Sequence, residues 1–261
     1  MIIPFSYEEY SVILNRVREK LPIVDYSEVI RNDLDTYCVV RHDIEYSLDR
    51  AHQLALVEQK IGVQSTYNIQ VRNNNYNAFS ERNIKLAREI WEMGHHIGLH
   101  VHMEGFNKDL TLTQDNYFAF VDYIRKDTEI LSHYLDINID RFVFHRPKPI
   151  WLKEPVKVNG LMNLYDAPFF RYYEGYRPDN LEVFYFSDSN HKWKYGHPLT
   201  EPDRIKNGSY PKKLQLLMHP YSWTDKGYFN DTNFESLIKE KNVEMRHSMA
   251  EEMISFPKEL L

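Results

Sequence analysis

The segment RHDIEYSLDRA begins at Arg41 and sets an arginine, a histidine and two carboxylates directly after the apolar run Tyr37–Val40. An aromatic, β-branched run of that kind suits a buried strand, and ionised groups at its end are costly unless nearby cations or a metal offset them. Asp43 and Glu45, two residues apart, would project from one face of such a strand. The stretch GLHVH repeats the arrangement with His100 and His102, and Glu104 follows shortly after. His145 and Arg146 end the run RFVFHR, Asp188 follows an apolar run in FSDS, and His219 follows another in LLMHP. Carboxylates and imidazoles mixed in this way, with no thiolate set, suit a divalent cation of the zinc, iron, manganese or cobalt kind. A cation that activates water needs a base beside it and an acid for the leaving group. Asp43 can be the base and His219 the acid. Arg41 and Arg146 can either hold the Asp43 carboxylate or contact an anionic part of a substrate, with a plain structural ion pair as the alternative for each.

These residues need a frame that brings them together. Ser6 followed by Glu9 reads as a capping box that opens a helix running to about Leu21. A strand follows at about Tyr37–Arg41, and Ser47 caps a helix with Leu54, Val57 and Ile61 on one face and Gly62 as its stop. The spacing then predicts strand Ser65–Val71, helix Arg82–Met93, strand His96–Val101, a long helix over about Thr113–Leu135 and strand Arg141–His145. Beyond these come a short helix near Leu152–Val158, a brief strand at Leu161–Tyr165, strands Val183–Ser187 and Leu214–His219, and a final helix from about Asn233 to Met253. Strands alternating with helices are the pattern of a parallel sheet or barrel with helices outside. In such folds the strand C-termini share one face, and that face holds the active site. The polar groups above all fall there.

Composition narrows the partners. The chain has 261 residues with 43% apolar content, enough for a sizeable core, and no linker or repeat divides it, so one domain is expected. A formal charge of −6 argues against nucleic acid or an anionic membrane surface as the main partner and favours a small or neutral substrate. The lone Cys38 allows no intramolecular disulfide and reads as a small buried hydrophobe. No stretch approaches the roughly 20 apolar residues of a membrane span, and MIIPFSYEEYS lacks a basic region before an apolar run, so a cytoplasmic protein is expected. The 19 tyrosines suit either a tyrosine-rich core and surface or a groove on which sugar faces stack.

Taken in order, RHDIEYSLDRA, IGVQSTYNI, GHHIGLHVH, FVFHRP, SDSNHKW and LLMHPYSW resemble the polysaccharide deacetylases of the NodB-homology type, in the branch whose first motif reads RHD-x-D, and they span about residues 37–223. The resemblance implies an α/β fold, a single-domain distorted (β/α) barrel of about seven strands, and metal-dependent hydrolysis of acyl groups, chiefly N-acetyl, from sugars. It implies a divalent metal, zinc first, with Asp43 as catalytic base and at the metal, Glu45 and His100 as further metal ligands, and His219 as catalytic acid. His145 and Arg146 fall on the wall of the groove, and Arg41, Asp188 and Trp223 are expected to join them in binding substrate. Two positions depart from the family pattern. Glu45 stands where the family has Asp, and the usual second histidine, four residues after the first, falls on Glu104. Either His102 or Glu104 takes the second ligand role from that strand. The leading expectation is a hydrolase that deacylates an amino sugar or sugar precursor used in surface polysaccharide synthesis. A catalytically silent carbohydrate-binding protein on the same fold is the alternative, and a hydrolase of non-sugar amides a third. FFRYYEGYRP, residues 169–178, is expected to form either a substrate-choosing loop over the site or a packed surface loop.

Overall fold

In the computed structural model, the described residues are 2–103, 106, 114–170, 183–193, 196–200 and 210–261. Seven strands form one sheet: β1 (Tyr37–Ile44), β2 (Thr66–Ile69), β3 (His96–His102), β4 (Arg141–His145), β5 (Met162–Asn163), β6 (Phe184–Ser187) and β7 (Lys213–Met218). Their order is β5-β4-β3-β2-β1-β7-β6, and every neighbouring pair is parallel. The sheet curls into a distorted (β/α) barrel with helices outside, so all strand C-termini reach one rim.

Local chemistry explains the elements. Helix α1 (Tyr7–Arg18) starts where the Ser6 hydroxyl accepts from the Glu9 N–H, while the Glu9 carboxylate accepts from the Phe5 N–H at 2.6 Å. Helix α2 (Tyr26–Arg31) is capped by Asp25, which accepts from the Ser27 N–H. Helix α3 (Leu48–Ile61) begins at Ser47, whose hydroxyl accepts from the Arg50 N–H, and ends at Gly62 with φ 69°. That cap turns the chain immediately after Glu45 and fixes the exit of β1 above the rim. Helices α4 (Glu81–Glu92), α5 (Gln114–Leu135), α6 (Pro149–Lys153) and α7 (Asn230–Glu252) complete the outer layer.

β1 is an interior strand, between β2 and β7, and every one of its residues is buried, as expected where helices or packed side chains cover both faces of a parallel sheet. Cys38 and Val40 point to α1 and pack with Tyr10, Ile13, Leu14 and the outer faces of β6 and β7. Val39 belongs to the other cluster, which runs through β2, β3 and β4. Because side chains alternate along a strand, His42 faces the α1 and α3 side, while Arg41 and Asp43 face the barrel interior. On the outer side the Glu58 carboxylate accepts from the hydroxyls of Tyr10 at 2.5 Å, Ser65 at 2.7 Å and Tyr67 at 2.7 Å, and lies 3.0 Å from His42 Nε2.

The observed elements shift the expected ones only at their ends, with two exceptions. Helix α2 was not among the expected elements. The short helix expected near Leu152–Val158 lies earlier, at Pro149–Lys153, where Pro149 occupies the first turn that a proline favours. No helix among the described residues is long and apolar enough to cross a membrane.

Candidate active site

The rim collects side chains from five strand ends into a cavity of about 480 Å³. Asp43 and Glu45 enter from the end of β1, His100 from β3, His145 and Arg146 from β4, Tyr185, Ser187 and Ser189 from β6 and its following turn, and His219 and Tyr221 from the end of β7. The register aligns them: His102 pairs with His145 across β3 and β4, and Asp43 with Asn68 across β1 and β2. Tyr46, Phe144, Tyr165, Phe170 and Phe234 supply aromatic wall.

Glu45, His100 and His145 each present a ligand atom within 4.8 Å of the others. Glu45 Oε1 lies 3.1 Å from His145 Nε2 and 4.0 Å from His100 Nε2. His100 is 1% exposed, and neither of its ring nitrogens has a hydrogen-bond partner. A buried imidazole left unsatisfied on both sides is what a metal ligand looks like without its ion, and a Glu-His-His set is one that holds catalytic zinc. The residues therefore fit a divalent cation. Burial pushes the Glu45 carboxyl up, but His219, His100 and His145 outweigh it and hold it well below the usual carboxylate range.

Sequence expectation and geometry differ over the second imidazole. His102 is not in the three-residue group. Its ring stacks on His145 at 5.4 Å between centroids, and it is His145, expected in the groove wall, that reaches Glu45. The signal was available in FVFHRP, since a residue at the C-terminal end of β4 faces the rim as directly as one at the end of β3. Glu104 lies outside the described residues, as does 171–178 of the expected substrate-choosing loop.

Asp43 sits deeper, 2% exposed. Its Oδ1 accepts from Asn68 Nδ2 at 2.9 Å, and its Oδ2 lies 3.7 Å from Arg41 Nη2 and 3.9 Å from His100 Nδ1. Burial raises its pKa, but the charges of Arg41, His100 and His219 and the Asn68 bond outweigh burial and hold it below the ordinary value. Gly98 on β3 makes the Asn68 position possible, because a Cβ there would collide with the Asn68 side-chain oxygen. Sequence reasoning missed both residues, which carry no charge and sit mid-strand.

Three residues expected to touch substrate are buried and do not line the cavity. Arg41 is fully buried, donating to the Tyr165 hydroxyl at 2.8 Å with its guanidinium over the Tyr165 ring, and it serves Asp43 rather than the cavity. Asp188, also fully buried, accepts from the His219 backbone N–H at 2.9 Å and from the His219 ring Nδ1–H at 2.6 Å. Trp223 donates its indole N–H to the other Asp188 oxygen at 2.8 Å and does not line the cavity. Together Asp188 and Trp223 fix the His219 ring so that Nε2 faces Glu45, 3.9 Å from Oε1. Burial pushes the His219 imidazolium pKa down, but Glu45, Asp188 and Asp43 outweigh it and raise it to about 9. Arg146 lines the cavity as expected, held at φ 50°, a backbone region few non-glycine residues adopt.

No known family model matches this chain, and no curated protein does. Several solved structures are similar to it. A CE4 family pseudoenzyme from Bacillus anthracis is 13% identical over 79% of this chain, with TM-score 0.38. A family 4 carbohydrate esterase from Streptomyces lividans, solved with acetate, is 13% identical over 78% of this chain and 85% of its own, with TM-score 0.37. A CE4 esterase from Streptococcus mutans is 10% identical over 80% of both chains, with TM-score 0.43. The present chain spans 60% of the length of the Bacillus anthracis pseudoenzyme.

Proposed function

We propose that the protein is a metal-dependent hydrolase that removes an acyl group, N-acetyl first, from an amino sugar or sugar precursor of surface polysaccharide synthesis. The carrying observation is the meeting of Glu45, His100 and His145, with His100 unsatisfied, in one cavity that Asp43 and His219 also line. Glu45, His100 and His145 would hold a divalent cation, zinc by ligand type, which supplies carbonyl polarisation and an acidified water when bound.

The chain's own residues divide the remaining work. Asp43 accepts the proton of the attacking water at Oδ2, while Asn68 occupies Oδ1 and Arg41 keeps the carboxylate ionised. His219 is oriented through Nδ1 by Asp188 and presents Nε2 to the leaving nitrogen, to which it delivers a proton. The aromatic wall of Tyr46, Tyr165, Tyr185 and Tyr221 offers faces on which sugar C–H groups stack.

The test is acyl release from a panel of N-acetylated amino sugars and their nucleotide- and lipid-linked forms, with the protein loaded with zinc and other divalent cations. Asp43→Asn should keep its metal and lose turnover by about 10²–10⁴-fold, the usual contribution of a general base. Full activity in that variant would remove Asp43 from the mechanism.

The Glu45–His145 contact at 3.1 Å favours a second reading, in which the pair satisfies itself and the cavity binds a sugar without hydrolysing it. Protein that takes up no metal after reconstitution, yet binds acylated sugars, would establish that reading instead.

A further inference from the structure

A second cavity, of about 380 Å³, opens beside the reaction cavity and is lined by Tyr46, Asn75, Phe234, Leu237, Ile238, Lys241, Asn242 and Met245. Tyr46 and Phe234 line both cavities. Their rings meet edge to face at 5.8 Å between centroids, and Tyr221 packs against both, so an aromatic cluster stands where the two cavities adjoin. One face of the groove comes from α7, where Phe234, Ile238, Lys241 and Met245 recur at helical spacing. The other comes from Tyr46, at the exit of β1, and Asn75, whose side-chain N–H donates to the Glu45 carbonyl at 3.0 Å.

The helix is held in place to form this groove. Arg50 of α3 pairs with Glu240 at 2.8 Å and donates to Asn233 Oδ1 at 2.7 Å, which anchors the first half of α7 over the rim. Yet the groove face is left bare: Ile238 is 63% exposed and Met245 52% exposed. Lys241, the one charged residue of the lining, is already paired with Glu244 at 2.7 Å. Large apolar side chains kept in water beside a reaction cavity cost solubility and stability unless something covers them.

We infer that this groove receives a hydrocarbon portion of the substrate, so that the preferred substrate is an acylated sugar carrying an apolar chain. The inference rests on the deacylase reading of the neighbouring cavity. The groove volume lies in the range of small-molecule sites, and the shared lining residues Tyr46 and Phe234 put an occupant next to the reaction cavity. The sugar head occupies the polar cavity of Asp43, Glu45 and His219, and the chain passes the two rings and lies against Ile238 and Met245.

The test compares n-octyl and methyl glycosides of N-acetylglucosamine below the micelle threshold, by equilibrium binding to the metal-loaded protein and by acetate release. Each fully buried methylene contributes about fourfold in affinity. The octyl compound should therefore bind at least about tenfold more tightly than the methyl one. Ile238→Glu and Met245→Glu should each bring the two affinities together, whereas Ile130→Glu, on exposed surface of α5 outside the groove lining, should leave the preference intact. Equal affinities in the unaltered protein, or no binding of either compound, overturn the inference. So does a concentration-dependent dimer that Ile238→Glu disperses with no octyl preference, which would give the face to a second copy of this chain. An octyl preference without hydrolysis leaves the groove standing and sinks the deacylase reading, and hydrolysis without a preference does the reverse.

Discussion

His42 and Asp43 are consecutive residues of β1, yet they enter two polar clusters on opposite faces of the same sheet. Behind the strand, His42 joins a cluster centred on Glu58, whose two carboxylate oxygens take hydroxyls from Tyr10, Ser65 and Tyr67 as well as the His42 ring. In front, Asp43 joins Glu45, His100, His145 and His219 around a cavity, and His100 has no hydrogen-bond partner at either nitrogen. Both clusters are buried and both mix imidazole with carboxylate. They differ in satisfaction: the rear carboxylate is fully partnered and leaves only the fully buried His42 Nδ1 without a bond, while the front group leaves both His100 nitrogens unpartnered beside open volume. Burial and charge alone do not mark a functional site; unspent donors and acceptors beside a cavity do.

The sharpest way to break that contrast is to remove one carboxylate from each side. Glu58→Ala strips the partner from three hydroxyls and His42, and should cost about 3–5 kcal/mol of stability, the usual loss when one member of a buried charge cluster goes. Glu45→Gln should lower the melting temperature of metal-free protein by less than Glu58→Ala does, because Glu45 is partly exposed and takes no hydroxyl partners among the described residues, and should abolish tight metal binding. Thermal unfolding of both variants with and without zinc reads the two effects together. A Glu45→Gln protein destabilised as much as Glu58→Ala would make the front cluster structural too.

The choice of imidazoles sharpens the comparison inside the front cluster. His145→Ala should weaken zinc binding by at least about a hundredfold, since loss of a direct ligand exceeds the 10–100-fold typical of outer partners. His102→Ala should change it by less than about tenfold, because that ring stacks on His145 and is not one of the three grouped residues. Competition with a chromogenic chelator measures both. The reverse order would return the ligand role to the β3 strand.

The contrast also shows where the sequence was legible. Alternation of apolar and polar runs placed all seven strands, because a parallel sheet buried on both faces writes itself as continuous apolar segments closed by polar ends. Strand-end position likewise picked out Asp43, Glu45, His100 and His219. What stayed hidden depends on partners chosen across strands. Nothing in GLHVH says whether His102 or a residue of the next strand meets Glu45, since that is set by the β3 to β4 register. Nor does the chain order reveal that Asp188 and Trp223 serve His219 from behind, or that Gly98 exists to seat Asn68. Helix α2 was missed for being only six residues, although Asp25 followed by Glu28 is a start signal.

The smallest effect expected is in acid. Burial pushes the Glu58 carboxyl up, but the His42 and His95 imidazoles and the hydrogen bonds outweigh it and hold it at about 2, below the roughly 4.3 of an unfolded glutamate. A depressed carboxyl contributes stability that is whole above the unfolded value and is lost as pH falls from there through the folded value. Between about pH 4.5 and 2 the unfolded chain therefore binds the proton that the folded one refuses. Glu58→Gln removes that difference, so its unfolding free energy should fall less steeply over this window, by about one proton in slope, from a lower starting stability. Urea unfolding at stepped pH reads the slope directly. Parallel lines for the variant and the unaltered protein would mean that Glu58 takes up its proton no differently folded than unfolded, and the rear carboxylate would lose its claim to be the satisfied one.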